Sequence, residues 1–493
     1  MIVDMSGNLI WSAPGQYGPA TANAKIQRYD DENFLTFWAG DKLQESGLGS
    51  YYMLNASYDL IWTVSAVGEG LEGDLHEFKI TEDGSAIITV YERISADLQN
   101  MDVESSSGQI IVDGIFQDID IATGQLLFEW RASEHLDHPA LQYTDGGLVA
   151  DGSLDYFHIN SIDKDSQGNY LVSLRHLHTL IYVEHGSGNI LWTFGGDAGD
   201  FDDLSMGDAS GFRWQHDARW ISEDEGIISL FDNGNAHHHQ DSPYSQGMII
   251  QLDFVQRTAN ILQEYTSQEP IKSPSQGNVQ TLTRPEGEDH VFIGWGASAV
   301  FTEHAMNGDQ LCETHFGASW LFYFERVKSY RAFKTFDWKA IPAAWDPTAR
   351  IKGAEVFVSW NGATEVAYWE LQKRRDLPGE EPLYGEEFED VDTIAKGANF
   401  ETSFKLPSGD GTGTYRIAAL DAEQNVLRFS NEVKYDHASI DLWIWLAMFA
   451  LASGFTVFGA LYVRRKNVVY IWPGRKDAMD RTEYHALQQR EII

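Results

Sequence analysis

Short apolar runs alternate with polar turns along the first two-thirds of the chain, and one unit recurs. It is an apolar strand, a turn rich in Gly, Asn or Asp, and a second strand ending in an aromatic residue. Copies occupy residues 2–11, 53–62, 119–130 and 181–192, with looser ones at 249–265 and 300–316. Alternation around such a turn predicts a β-hairpin. Before each hairpin except the first the pattern gives another strand pair, such as 76–80 with 83–90, 158–162 with 168–173, 216–220 with 227–231, and 278–282 with 291–294. Four strands make one blade, and repetition at about 50–70 residues predicts a β-propeller over residues 1–340. The first copy has only its outer hairpin, so the pattern predicts a first blade truncated at the N-terminus and a natural chain that extends upstream.

The pattern then changes. Residues 356–360, 367–371, 400–404 and 415–420 are alternating strands with polar turns, which suits a small β-sandwich of the fibronectin or immunoglobulin type over residues 346–437. Pro342 and Pro347 mark the join. Residues 442–463 carry no charge and are long enough to cross a hydrocarbon core of about 30 Å as a helix. Trp443 and Trp445 stand at one end, Tyr462 at the other, and Arg464-Arg465-Lys466 follow. This predicts a single-pass transmembrane helix with the tail 464–493 in the cytosol and the body extracytoplasmic, lumenal or extracellular. Residues 1–11 hold neither a basic segment nor an apolar one of signal-peptide type.

Composition narrows the function classes. The chain has 493 residues, a formal net charge of −39 and 43% hydrophobic residues, 16 of them Trp. That much apolar material excludes disorder. The charge excludes wrapping nucleic acid. The single cysteine, Cys312, builds neither an internal disulfide nor a thiolate metal cage.

Candidate chemistry lies where the innermost strands begin. Three of them start with histidine, His76, His158 and His216, and a fourth offers Gln276 and Asn278. A propeller turns equivalent positions toward one axis, so the three imidazoles are expected at one channel mouth. Arg175 ends the strand after His158, in Ser173-Leu-Arg-His-Leu-His178. Three neutral histidines suit Zn²⁺ with an open position. No Asp or Glu stands at an equivalent position, however, and a guanidinium beside a dication repels it. The other reading is an anion site: Arg forks onto sulfate or phosphate oxygens, and histidine donates or attacks. No metal and no cofactor is assigned. His176 lines the channel or packs. Asp232 and Asn233 satisfy loop backbone or hold Ca²⁺. Asn55-Ala-Ser57 is a glycosylation sequon, usable if the body is lumenal.

The string Phe157-His-Ile-Asn-Ser-Ile162, Gly168-Asn-Tyr-Leu-Val-Ser-Leu-Arg-His176, Gly188-Asn-Ile-Leu-Trp-Thr-Phe-Gly-Gly196, Gln215-His-Asp-Ala-Arg219 and Phe231-Asp-Asn-Gly234 resembles the arylsulfotransferase family. Gly277-Asn-Val-Gln-Thr-Leu282 and Ser329-Tyr-Arg-Ala-Phe333 extend the likeness, which is nearest to the fungal membrane-associated branch. The resemblance implies a six-bladed propeller that moves a sulfuryl group from an aryl sulfate to a phenolic acceptor, through a sulfated histidine and without a nucleotide donor. Carried over by motif, His216 is the nucleophile. His158 and Arg175 hold the sulfate oxygens and the leaving oxygen, His76 is a further channel histidine, and Asn160 is a polar neighbour. His176 and Asn278 complete the expected substrate wall. Ile159 stands where bacterial relatives are polar, and their disulfide has no counterpart.

The sequence leaves a second class open: a non-catalytic propeller displayed on a membrane that binds a ligand or protein. A sulfuryl carrier needs the set His76, His158, Arg175 and His216; a binding scaffold does not.

Overall fold

The computed structural model describes residues 1–13, 15–43, 46–95, 110–141, 152–236, 239–284, 287–317, 329–375, 387–397, 399–406 and 412–436. These residues are all-β, with three short 3₁₀ turns and no α-helix among them. Strands Ala20–Tyr29, Glu32–Lys42, Gly47–Leu54 and Leu60–Val64 pair in succession, as do Gly73–Ile80, Ser85–Ser95, Ile110–Asp120 and Leu126–Arg131. The Gly49–Gly73 bridge joins these two sets into one eight-stranded sheet. Ile159–Lys164, Tyr170–Leu174, Thr179–Val183 and Ile190–Gly195 form the next antiparallel sheet. His216–Ser222, Ile227–Asp232, Gln246–Asp253 and Thr258–Tyr265 form another, and Asn278–Leu282, His290–Gly294, Val300–Ala305 and Gln310–His315 a further one.

The first strands of successive sets lie side by side: Ala20–Tyr29, Gly73–Ile80, Ile159–Lys164, His216–Ser222 and Asn278–Leu282. An extended segment, residues 329–335, fills the gap between the last and the first. On one side Asn278 and Gln280 bond the main chain of Ala332 and Lys334. On the other, Arg331 Nη1 reaches Asn23 Oδ1 (3.4 Å) and Lys25 lies over the Phe333 ring. The axis these strands enclose is polar and charged. Apolar side chains fill the spaces between sheets instead, as where Ile87, Phe116, Phe157, Tyr170 and Ile181 meet.

Residues 348–436 form a three-stranded and a five-stranded sheet around one core that includes Val356, Trp369, Phe404 and Tyr415. A separate aromatic cluster joins this unit to the rest. Trp11, on the hairpin Ile2–Val3 with Leu9–Trp11, stacks on Tyr58, which also packs edge-on against Trp338 and donates its hydroxyl to Gly362.

The expected membrane-spanning localisation is corrected. No helix among the described residues is long and apolar enough to cross a membrane. The run 442–463 and the tail 464–493, on which that expectation rested, lie outside the described residues. Asn55 lies in the turn between Gly47–Leu54 and Leu60–Val64, where its Oδ1 accepts the backbone N–H groups of Ser57 and Asp59.

Candidate active site

Irregularities in the inner strands present the candidate residues. Asp74 pairs with Thr89 and Phe78 with Ile88, so Leu75, His76 and Glu77 bulge out of the ladder. His76 thus sits within its strand rather than at its start. A second shift falls between His216 and Arg219, and a third follows Ile159. Bulges re-aim side chains that simple alternation would turn to opposite faces. His158 (φ 54°), Trp214 (φ 59°), Asp217 (φ 55°) and Gln276 (φ 68°) are all left-handed. Non-glycine residues there cost about 1–3 kcal/mol each, and such strain concentrates at functional sites.

The histidines converge. The His76 and His158 rings meet edge-on at 4.7 Å between centroids, and His176 stacks on His158 at 4.6 Å. The Tyr330 ring lies between His76 (5.4 Å) and His216 (6.4 Å). Tyr91 stacks on His76 and donates its hydroxyl to the Ile159 carbonyl. All are buried.

Hydrogen bonds fix each tautomer. Around His216, Nδ1 faces the Trp214 carbonyl (3.0 Å) and Asn233 Oδ1 (2.7 Å). The Asn233 amide nitrogen donates to the carbonyls of Ser273 and Gln276, so its oxygen must face the ring. Two acceptors at Nδ1 require the proton there, which leaves the lone pair on Nε2. That lone pair accepts the Gln276 backbone N–H at 3.1 Å. His158 Nδ1 faces Asp155 Oδ2 (2.6 Å), and His76 Nδ1 faces Asp74 Oδ1. His176 Nε2 accepts from Arg175 Nη1 (2.8 Å), so its Nδ1–H goes to the Asp155 carbonyl. The Arg175 guanidinium also reaches the Pro274 carbonyl (3.2 Å) and lies 5.1 Å over the Trp214 ring.

Burial and neighbouring positive charge depress His158, His176 and His216. Desolvation, then His76 and Arg175, hold His158 well below the ordinary histidine value. For His216, desolvation leads and Arg175 follows, opposed by the bond to Asn233. Desolvation and then His158 depress His176 as well. Burial pushes Asp155 up, against the pull of His176, His76 and Arg175.

His76, His158, Arg175, His176 and His216 therefore share one site. Asn160 lies just beneath it, donating to the Gln215 carbonyl (2.6 Å), while its own carbonyl accepts from Arg331 Nη2 (2.7 Å). Asn278 is placed elsewhere: both ends of its amide bond the main chain of Ala332. Asp74, Asp155, Tyr91 and Tyr330 enter the site without having been foreseen, Gln276 enters through its backbone N–H, and Asn233 serves His216 rather than its own loop or a cation. No carboxylate stands at a position equivalent to the histidines, but two aspartates just before them in the chain accompany them. Asp74-Leu-His76 and Asp155-Tyr-Phe-His158 held the signal, a carboxylate two or three residues before each histidine.

Asp155, His158 and His176 each offer a ligand atom within 4.8 Å of the others. Their bonds argue against a cation there. His176 already gives Nδ1–H to a carbonyl and Nε2 to a guanidinium, and that guanidinium would repel a dication. The set suits protons and a small anion, with neutral nitrogen nucleophiles beside a fixed fork of N–H donors.

No curated protein matches the chain. Among solved structures it is similar to a putative 6-phosphogluconolactonase from Bacteroides uniformis, at 11% identity over 82% of this chain and 97% of that one, TM-score 0.31. It is also similar to a catalytically inactive virginiamycin B lyase from Staphylococcus aureus, at 10% identity over 69% of this chain and 92% of that one, TM-score 0.30. At these TM-scores neither likeness bears on function. The family comparison does: residues 25–317, more than half of the chain and every histidine of the cluster, match the arylsulfotransferase (ASST) model. The chain belongs to the arylsulfotransferase family.

Proposed function

We propose that the protein transfers a sulfuryl group from an aryl sulfate to a phenol through a sulfated His216. Membership of the family supports arylsulfotransferase-like activity in general. The observation that carries the specific reading is the tautomer of His216. Its proton is held on Nδ1, so Nε2 presents a lone pair, and the Arg175 charge is near enough to help keep the ring neutral. Nε2 exchanges the Gln276 N–H for the sulfur atom. An N–S bond forms, the S–O bond to the aryl group breaks, and the aryl oxygen leaves with the electron pair and takes up a proton. The phenolic acceptor then attacks sulfur, the N–S bond breaks, and the phenol proton passes to a nearby base. Charge spreads over the sulfuryl oxygens as in phosphoryl transfer, so fixed cationic donors and positioning carry most of the rate. Arg175 supplies the fork. Two displacements at one nitrogen give ping-pong kinetics.

Architecture is part of the same proposal. The successive four-stranded sets, with their first strands around one axis and residues 329–335 closing the ring, support a six-bladed propeller over residues 1–340. The two sheets around one core support a β-sandwich over 346–437.

The test is mass spectrometry of the full chain after exposure to an aryl sulfate, with a phenol then added. A gain of ~80 Da on His216, discharged by the phenol, is expected for a sulfuryl intermediate. No adduct and no transfer across a panel of donors would leave a ligand-binding protein as the better account.

A further inference from the structure

The three histidines of the site differ in what backs them. His158 is held by a buried carboxylate at two points: its backbone N–H meets Asp155 Oδ1 (3.1 Å) and its Nδ1 meets Asp155 Oδ2 (2.6 Å). His76 repeats the arrangement, with its backbone N–H (3.0 Å) and Nδ1 both on Asp74 Oδ1. Asp74 is itself locked, since its Oδ2 accepts the Gly47 N–H at 2.7 Å. His216 is backed only by neutral acceptors, the Asn233 amide and the Trp214 carbonyl.

We propose that these partners divide the labour: Asp155 and Asp74 are positioning residues that make His158 and His76 the proton carriers, and Asn233 reserves His216 for nucleophilic attack. The proposal rests on the sulfuryl-transfer reading and deepens it. A carboxylate against Nδ1–H fixes the tautomer and stabilises the imidazolium formed when Nε2 takes a proton. An amide oxygen fixes the same tautomer and offers no charge, so the ring stays neutral and nucleophilic. With Nδ1 occupied, Nε2 of His158 is the nitrogen left for substrate. It accepts the phenol proton as the acceptor oxygen attacks sulfur. That proton then passes to solvent, from which the next departing aryl oxygen takes one, so the ring starts each turnover neutral and the cycle neither gains nor loses a proton. The groups that face His158 are Asp155, His76, His176, Tyr91 and Arg175. Those that face His216 are Tyr330, Arg175, His158 and His76.

The experiment uses the full-length chain with an aryl sulfate and a phenol, reading His216 labelling by mass and turnover against pH. Asp155→Asn should still label. Its kcat should fall by about 10²-fold or more with little change in donor KM, and Asp155→Glu should recover part of the loss. Asn233→Asp should place a charge against His216 and move the acid limb of labelling up by about one pH unit or more. Wild-type kcat and pH profile in Asp155→Asn, or an unmoved acid limb in Asn233→Asp, overturns the proposal while leaving sulfuryl transfer intact. If Asp155→Asn does not fold, the Asn233→Asp profile decides alone. No label on the wild-type protein removes both the transfer reading and this one.

Discussion

A nucleophile must be uncharged at the attacking atom, and His216 meets that condition through its surroundings. Burial and Arg175 hold it well below the ordinary histidine value of 6.5. A group depressed in the fold keeps its lone pair until pH falls through the lowered value. Labelling of His216 should therefore be flat across neutral pH and fall only in acid, below 6.5. A limb at or above neutral pH in a stopped-flow labelling series would contradict this. His216→Ala should abolish labelling and transfer together. Arg175→Lys keeps the charge but loses the fork that reaches His176 and Pro274. Its kcat/KM should drop by about 10²–10³, the usual cost of one oxyanion donor.

The elements that carry these residues are distorted strands, and this decides what the sequence revealed. The histidines were legible because the repeat put one in each of three inner strands. Their partners were not. In a regular strand His76 and Glu77 face opposite sides, yet the bulge over residues 75–77 turns both inward and sets Asp74 beneath the imidazole. The left-handed turn at His158 likewise folds its ring back onto Asp155. Asn278 looked channel-facing because residues 329–335 carry no strand pattern, and it is this segment that takes its amide. One glycine tests how closely the loop over His216 is fitted. At Gly277 (φ 111°) a Cβ would stand 2.5 Å from the Phe231 ring. Gly277→Ala should destabilise the fold by about 1–3 kcal/mol in urea titration and slow labelling, because strain and clash fall on the segment that meets His216.

Across the whole molecule, charge is buried along the axis. Glu77 contacts Arg219, Arg331 (3.2 Å) and Lys25 (3.6 Å), and Asp217 contacts Arg219 (2.7 Å) and Arg331 (3.2 Å). Lys25, Glu77, Arg219 and Arg331 lie far apart in sequence, so no local pattern announces their meeting. Removing one partner strands the rest: Glu77→Gln should cost about 3–5 kcal/mol in chemical unfolding. Lys25 gives the network a pH signature. Burial lowers it to about 8, against 10.5 for an exposed lysine. Between those values the unfolded chain binds more protons than the native one, so this residue makes stability rise with pH from about 8 to 10.5. Urea midpoints at the two ends of that window should differ less in Lys25→Met than in wild type.

The Gln276 amide on His216 Nε2 has a consequence for the protein at rest. A bare imidazole in a pocket open to small molecules is carboxylated, alkylated or metallated by whatever arrives first. Here the lone pair is engaged until an incoming group competes for it, and that group must also displace the Pro274 carbonyl from Arg175. A polyoxyanion satisfies the guanidinium as it arrives; an uncharged electrophile does not. Diethyl pyrocarbonate should therefore modify exposed His315 well before His216, a reactivity order readable by peptide mapping. Chemical fidelity would then be set before any bond to sulfur is made, by a latch that only the right kind of charge can open.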